Sequence, residues 1–216
     1  MSNIYNIQKA RQIATRLLEI EAVKLSLENP FEWSSGWLSP IYCDNRLSLS
    51  YPNVRNIIKS ALKDLIKNKF PQTEAIAGVA TAGIPMGILI ANELNLPFLY
   101  VRSSPKKHGL ENLVEGKIVE GQKIAVIEDL ISTGGSSISA IKALKKEGCQ
   151  IVGLGAIFTY DFDIADKAFQ DENTEFYCLS DYNILLEEAL QEGYIKEDNI
   201  ENLKSWRDNP ASWTKK

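Results

Sequence analysis

Histidine and cysteine are scarce in this chain. One histidine, His108, and three cysteines are its whole stock of imidazole and thiol metal ligands. Cys43, Cys149 and Cys178 stand far apart and form no Cys-x-x-Cys pair, so a metal site built on them is not expected. They are read instead as reduced, buried or partly buried thiols of a cytoplasmic protein. No apolar run approaches the roughly 20 residues of a membrane span. The Met1 to Ile20 segment is polar and amphipathic and lacks the apolar core of a signal peptide. A soluble chain with no membrane partner is the expectation. Positive charge is not in excess either: 24 Lys and Arg face 28 Asp and Glu, a net charge of -4. Nucleic-acid binders usually carry a basic face, so nucleic acid is not the expected partner. A local basic cluster can still attract an anionic substrate into a cleft. Internal repeats, linkers, low-complexity tracts and the Gly-Lys-Ser/Thr ending of a P-loop are all missing.

What remains is an ordinary enzyme-like composition, 44% hydrophobic and 24% charged over 216 residues, which fits one domain with a substantial core. Ile4, Ile7, Ile13, Ala14, Leu17 and Leu18 recur at helical spacing and predict an N-terminal amphipathic helix. Residues 31–43 read as two short strands about a Ser-Ser-Gly turn. Ser50 is placed to cap a helix running to about Lys69, with Pro52 in its first turn. Beyond it the rhythm is strand, turn, helix. Strands are predicted over 74–79, 98–101, 123–127, 151–158 and, at an edge, 175–179, with helices over 83–94 and 135–147. The stretch from 102 to about 120 reads as a polar loop, and the last quarter, from Asp181, as helical and polar. Such alternation predicts an α/β fold with βαβ units around a parallel sheet.

The chemistry concentrates in Val126-Ile-Glu-Asp-Leu-Ile-Ser-Thr-Gly-Gly-Ser-Ser137. A strand ending at Ile127 delivers Glu128 and Asp129 to the carboxyl edge of the sheet, where open α/β sheets bind ligands. Ser132, Thr133, Gly134, Gly135, Ser136 and Ser137 can wrap amides and hydroxyls around a phosphate at a helix start. Two carboxylates would repel a bare phosphate, so they are read as gripping something neutral attached to it, such as vicinal sugar hydroxyls. The implied ligand is a sugar phosphate. The alternative is a tight turn with Ser or Thr capping the next helix.

A second small-residue turn, Gly78-Val-Ala-Thr-Ala-Gly-Ile-Pro85, also follows a strand and opens a helix. It lets backbone amides approach a ligand, or simply lets helix and strand pack closely. Arg102, Lys106, Lys107 and His108 form a cationic cluster in the long polar loop, suited to a multiply charged anion as well as to a solvated surface.

These motifs resemble those of the type I phosphoribosyltransferases, and most specifically the branch that uses orotate. Trp-x-Ser-Gly-x-x-Ser-Pro-Ile-Tyr, Arg-x-x-x-Lys-x-His-Gly and Glu-Asp-Leu-Ile-Ser-Thr-Gly-Gly-Ser occur in order between about Phe31 and Tyr182. The resemblance implies a parallel sheet flanked by helices over residues 51–180, with a small hood from residues 1–50 and 181–216. It implies transfer of a phosphoribosyl group from phosphoribosyl pyrophosphate to orotate in pyrimidine (UMP) synthesis. Glu128 and Asp129 would hold the ribose hydroxyls and Ser132 through Ser136 the sugar's phosphate, with Ser132 also near orotate and Leu130 and Ile131 also among the residues that bind phosphoribosyl pyrophosphate. Thr81, Ala82 and Gly83 would cradle the pyrophosphate. Arg102, Lys106 and His108 would meet the pyrophosphate from the loop, and Lys106, His108 and Asp129 would carry catalysis. Mg²⁺ would be held mainly by substrate oxygens with no direct protein ligand. The resemblance also implies a homodimer whose loop, residues 102–116, reaches the neighbouring site.

Departures from the pattern bear on the base. Ser34 and Ser103 stand where many members have lysine, and Phe158-Thr-Tyr-Asp161 replaces a strand end that often carries an orotate-facing arginine. Arg46, in Tyr-Cys-Asp-Asn-Arg, is the candidate to supply the missing cation. A purine phosphoribosyltransferase and a non-enzymatic sensor of the same activated sugar that regulates transcription remain the alternatives.

Overall fold

The computed structural model describes residues 3–33, 36–104 and 113–213. Helix α1 (Ile7–Glu19) starts later than its apolar spacing predicts because the Asn6 side chain accepts from the Lys9 amide at 3.0 Å and caps it there. Ile4 instead forms a parallel bridge to Cys178, covering the sheet edge. Strands β1 (Val23–Leu25) and β4 (Ile41–Cys43) pair antiparallel, as do β2 (Phe31–Glu32) and β3 (Leu38–Ser39). The expected hairpin is thus β2–β3, and β4 turns away to a partner that residues 31–43 do not contain.

A 3₁₀ turn (Asn45–Ser50) precedes α2 (Pro52–Lys69). The expectation that Ser50 caps α2 is corrected: Tyr51 occupies the cap position and no side chain caps the helix. Pro52 at the first helical position needs no amide partner, so the start is tolerated.

The remaining elements are β5 (Ala75–Val79), α3 (Gly83–Leu94), β6 (Phe98–Val101), β7 (Val114–Glu115), β8 (Lys123–Ile131), α4 (Gly135–Lys146), β9 (Gln150–Thr159), α5 (Asp163–Asp171), β10 (Phe176–Asp181), α6 (Tyr182–Gln191) and α7 (Glu197–Asp208). Strands β5 to β10 make a six-stranded sheet in the order β10-β9-β8-β5-β6-β7, parallel except for β7. The α/β parallel sheet expected from the alternation is present. β7 breaks the polar loop, and α5 follows β9; neither was visible in the periodicity.

The strand order reverses between β5 and β8. Chain connections of one hand that run in opposite directions along a sheet place their helices on opposite faces. Accordingly α3 packs with α1 and α2 on one face, through Met86, Ile90 and Ala91. On the other, α4 and α5 bury Ile141, Leu144, Ala165 and Phe169. The C-terminal segment is less polar than expected. α6 buries Tyr182, Ile184, Leu185, Leu186 and Ala189, and α7 inserts Trp206, which is fully buried. Trp206 meets Trp33, Tyr160, Phe162 and Tyr182 with ring centroids 5.4–5.7 Å apart, tying the hairpin to the end of β9. Such aromatic contacts add to the stabilisation from burial alone. No helix among the described residues is long and apolar enough to cross a membrane.

Candidate active site

The crevice above a strand-order reversal is where open α/β sheets bind ligands. Here that point lies between β5 and β8, and both strands lead there into small-residue turns.

β8 runs to Ile131, four residues beyond the predicted end at Ile127. Its pairing with β5 stops at Gly78↔Ile127, while pairing with β9 continues to Ile131↔Thr159. Glu128 and Asp129 therefore sit in a strand that has lost one neighbour, not in a loop. The extra length follows from the apolar Leu130 and Ile131, which match Phe158 and Thr159 across the ladder.

The two acids have different surroundings. Glu128 is 4% exposed; its Oε2 accepts from the hydroxyls of Ser136 at 3.1 Å and Ser137 at 3.2 Å, and its Oε1 from the Asp129 amide at 3.2 Å. Burial and the neighbouring Asp129 charge push the Glu128 carboxyl up to about 8. Asp129 is only half-buried. Burial raises its carboxyl as well, against lowering by its hydrogen bonds and the Arg46 charge. One acid is thus tied to the start of α4, and the other is the more exposed of the pair.

Two uncapped helix starts flank them. α4 begins at Gly134, in the left-handed conformation at φ 81°, with no side-chain cap. This excludes the reading in which Ser or Thr caps that helix. The amides of Gly135, Ser136 and Ser137 precede the first intrahelical bond, from Ile138 N to Gly134 O at 2.9 Å. Among the described residues the Ser132 and Thr133 hydroxyls make no hydrogen bond. α3 begins after Ala82, again without a side-chain cap, and the Ala80–Thr81 peptide before it is cis. Uncapped amides and the helix dipole make both ends receptive to anions.

The turns touch. A Cβ on Gly83 would lie 2.4 Å from the Ile127 carbonyl oxygen and 3.4 Å from the Glu128 Cα. A Cβ on Gly78 would lie 2.8 Å from the Gly83 oxygen. Close packing is therefore an actual use of these small residues, and it brings the start of α3 against the acid pair.

Thr81, Ala82 and Gly83, and Glu128 through Ser136, are thus gathered at one crest. Arg102 stands just past the end of β6 on the far side of β5, its guanidinium 3.5 Å from Glu115. Arg46, the candidate to meet the orotate carboxylate, holds Asp44 through two contacts of 2.6 and 2.9 Å, and its charge reaches Asp129. Lys106 and His108 lie outside the described residues, as does Ser34. Asp161, just past the end of β9, accepts from Arg207 of α7 at 3.0 Å. Cys43 is half-buried and Cys149 and Cys178 are buried, all as free thiols.

Asn45 went unrecognised in the sequence, and Ser137, expected there as part of the phosphate-wrapping turn, turns its hydroxyl to Glu128. A run of hydroxyls in the first helical turn was the signal for Ser137. For Asn45 the only signal was a polar residue between two charged ones. The arrangement as a whole can enclose a phosphate at either helix start while presenting a carboxylate to hydroxyl groups between them.

Residues 48–188 match the phosphoribosyl transferase domain family. An orotate phosphoribosyltransferase of Cytophaga hutchinsonii is 54% identical over 205 residues, 95% of this chain and 98% of that protein. One from Bacillus subtilis is 52% identical over 206 residues, 94% of this chain and 95% of its own. The crystal structure of orotate phosphoribosyltransferase from Aeropyrum pernix superposes with a TM-score of 0.75 at 25% identity, covering 85% of this chain and 99% of that one. Sheet order, twin uncapped helix starts and sequence agree, and the chain belongs to the phosphoribosyltransferase family, among the orotate phosphoribosyltransferases.

Proposed function

We infer that this chain transfers the phosphoribosyl group of phosphoribosyl pyrophosphate to a ring nitrogen of orotate, giving orotidine monophosphate and pyrophosphate. The observation that carries the reading is the half-buried Asp129 standing between two uncapped helix starts at the sheet reversal. In this reading the amides of Gly135 through Ser137 and the free hydroxyls of Ser132 and Thr133 take the sugar's phosphate. Asp129 accepts from the ribose hydroxyls, and Glu128 backs the site from below. The start of α3, with Thr81, Ala82 and Gly83, receives the pyrophosphate.

No protein nucleophile is required. As the anomeric carbon parts from its leaving group, positive charge grows on the ribose and negative charge on the pyrophosphate. A site that fixes both ends and is already polarised toward that separation lowers the barrier. Arg102, Lys106 and His108 approach the leaving group from the loop, Lys106 as a charge partner and His108 as a proton donor. Mg²⁺ prefers oxygen ligands, and the donors at this crest are oxygens: the Asp129 carboxylate and the neighbouring hydroxyls. When bound it supplies charge neutralisation for the pyrophosphate. We place the enzyme in the cytoplasm as a homodimer whose loop, residues 102–116, completes the neighbour's site.

The test is orotate consumption by the purified chain with and without the activated sugar and Mg²⁺, beside hypoxanthine and adenine. Orotate-dependent pyrophosphate release is the expected result. Release with a purine alone overturns the assignment of the base. Release with none of the three bases overturns the assignment of an enzyme.

A further inference from the structure

We propose that Asn45 is a positioning residue for Asp129, acting on the reaction through the placement of that carboxylate. The proposal rests on the reading that Asp129 meets the ribose.

Asn45 is 2% exposed, and its Nδ2 donates to the Asp129 carbonyl oxygen at 2.7 Å, a contact between residues 84 apart in the chain. The contact falls where it is needed. β8 loses β5 as a partner after Ile127, so the peptide that follows Asp129 lies in a strand held by β9 on one side only. The Asn45 amide adds a second anchor there. A peptide plane held at its oxygen limits rotation about the Asp129 backbone, and with it the direction in which the carboxylate leaves the strand.

The anchor is itself held. Asn45 Oδ1 accepts from the Cys43 thiol at 3.4 Å, and the Asn45 carbonyl oxygen accepts from the Ser48 hydroxyl at 2.6 Å, with Ser48 fully buried. Asn45 thus uses both ends of its side chain and its own carbonyl. Its neighbours Asp44 and Arg46 are occupied with each other at the surface. Within Asp44-Asn45-Arg46 the uncharged residue is the one that hydrogen-bonds to the backbone of the acid pair. A carboxamide suits this place because it donates to a carbonyl without adding charge beside Glu128 and Asp129. A lysine there would neutralise the acid, and an aspartate would repel it.

A double-mutant cycle separates positioning from general support. Asn45→Ala is made in the natural background and in Asp129→Ala, with kcat and KM measured for both substrates on the full-length protein. The expected outcome is a loss of about tenfold in kcat/KM for the activated sugar, with KM for orotate moved less than about twofold, and no further loss when Asp129 is already alanine. An equal loss in both backgrounds means that Asn45 merely supports the fold, and overturns the proposal. So does a loss that falls equally on both substrates. If Asp129→Ala by itself leaves the enzyme unchanged, the ribose-contact reading fails first. Should Asn45→Ala not fold, the same cycle is read with Asn45→Ser, whose hydroxyl keeps a donor but is too short to reach; retained full activity there also overturns the proposal.

Discussion

Ser137 donates its hydroxyl to Glu128 Oε2 at 3.2 Å, and both side chains are buried. The contact joins the first turn of α4 to the end of β8, so the acid and the uncapped helix start form one rigid piece. A buried carboxyl without such donors would be far more costly to ionise. Ser137→Ala is expected to lower stability by about 1–2 kcal/mol, and by more above pH 8 than below it, because the lost donor serves the charged form. Denaturant midpoints at two pH values check both the size and the sign.

Glu128 also sets a pH dependence of the free enzyme. Its carboxyl titrates at about 8 in the fold against 4.5 for the unperturbed group, so between those values the folded chain holds a proton that the unfolded chain has released. Stability from this group is fully present below 4.5 and is lost as pH rises through about 8. Glu128→Gln, which cannot ionise, should flatten that fall in melting temperature. An unchanged slope in the variant would assign the proton elsewhere.

Gly83 leaves no room for a methyl group. With the Ile127 carbonyl oxygen 2.4 Å from the position of a Cβ, Gly83→Ala must push α3 away from β8. A cost of about 1–3 kcal/mol is expected, with activity falling further than stability because the same shift opens the crevice. Paired melting and turnover measurements test this. Equal activity per folded molecule would deny the turn a part in the site.

Trp206 joins the C-terminal helix to the site's supporting floor. It is fully buried against Trp33, Tyr160, Phe162 and Tyr182. Trp206→Ala is expected to cost about 3–5 kcal/mol, a fall in melting temperature of roughly 10 °C or more. A fall of a degree or two would show that α7 contributes little to the fold.

The loop carries the last prediction. Lys106→Ala should depress turnover far more than ribose-phosphate binding, by an amount on the order of 3–4 kcal/mol of barrier. Mixing Lys106→Ala with Asp129→Asn subunits under exchange conditions should restore part of the activity if one subunit's loop serves its neighbour. Without recovery, each site is self-contained.

The alternation of apolar runs with glycine-rich turns made the parallel sheet and its order of elements legible, because burial on both faces demands continuous Ile, Val and Ala. Glu128, Asp129 and the Ser132 to Ser136 turn were legible for a related reason: carboxylates and hydroxyls directly after a buried strand have few structural uses. The pairing of Arg46 with Asp44 was not legible, because a sequence shows a cation but not its partner. Asn45 stayed invisible, since nothing near it in the chain marks residue 129 as its destination.

Local pattern by itself determined the five parallel strands of the sheet, where the phosphate-receptive turns fall and which residue types line them, since these depend on neighbours within a few positions. Only the tertiary structure decided that the strand order reverses between β5 and β8. It also decided that Glu128 is drawn down onto α4 while Asp129 stays the more exposed of the two, and that the C-terminal helix reaches back to the hairpin. Those outcomes follow from contacts between segments far apart in the chain. Packing and buried hydrogen bonding, which select among arrangements that the local pattern leaves open, decide them.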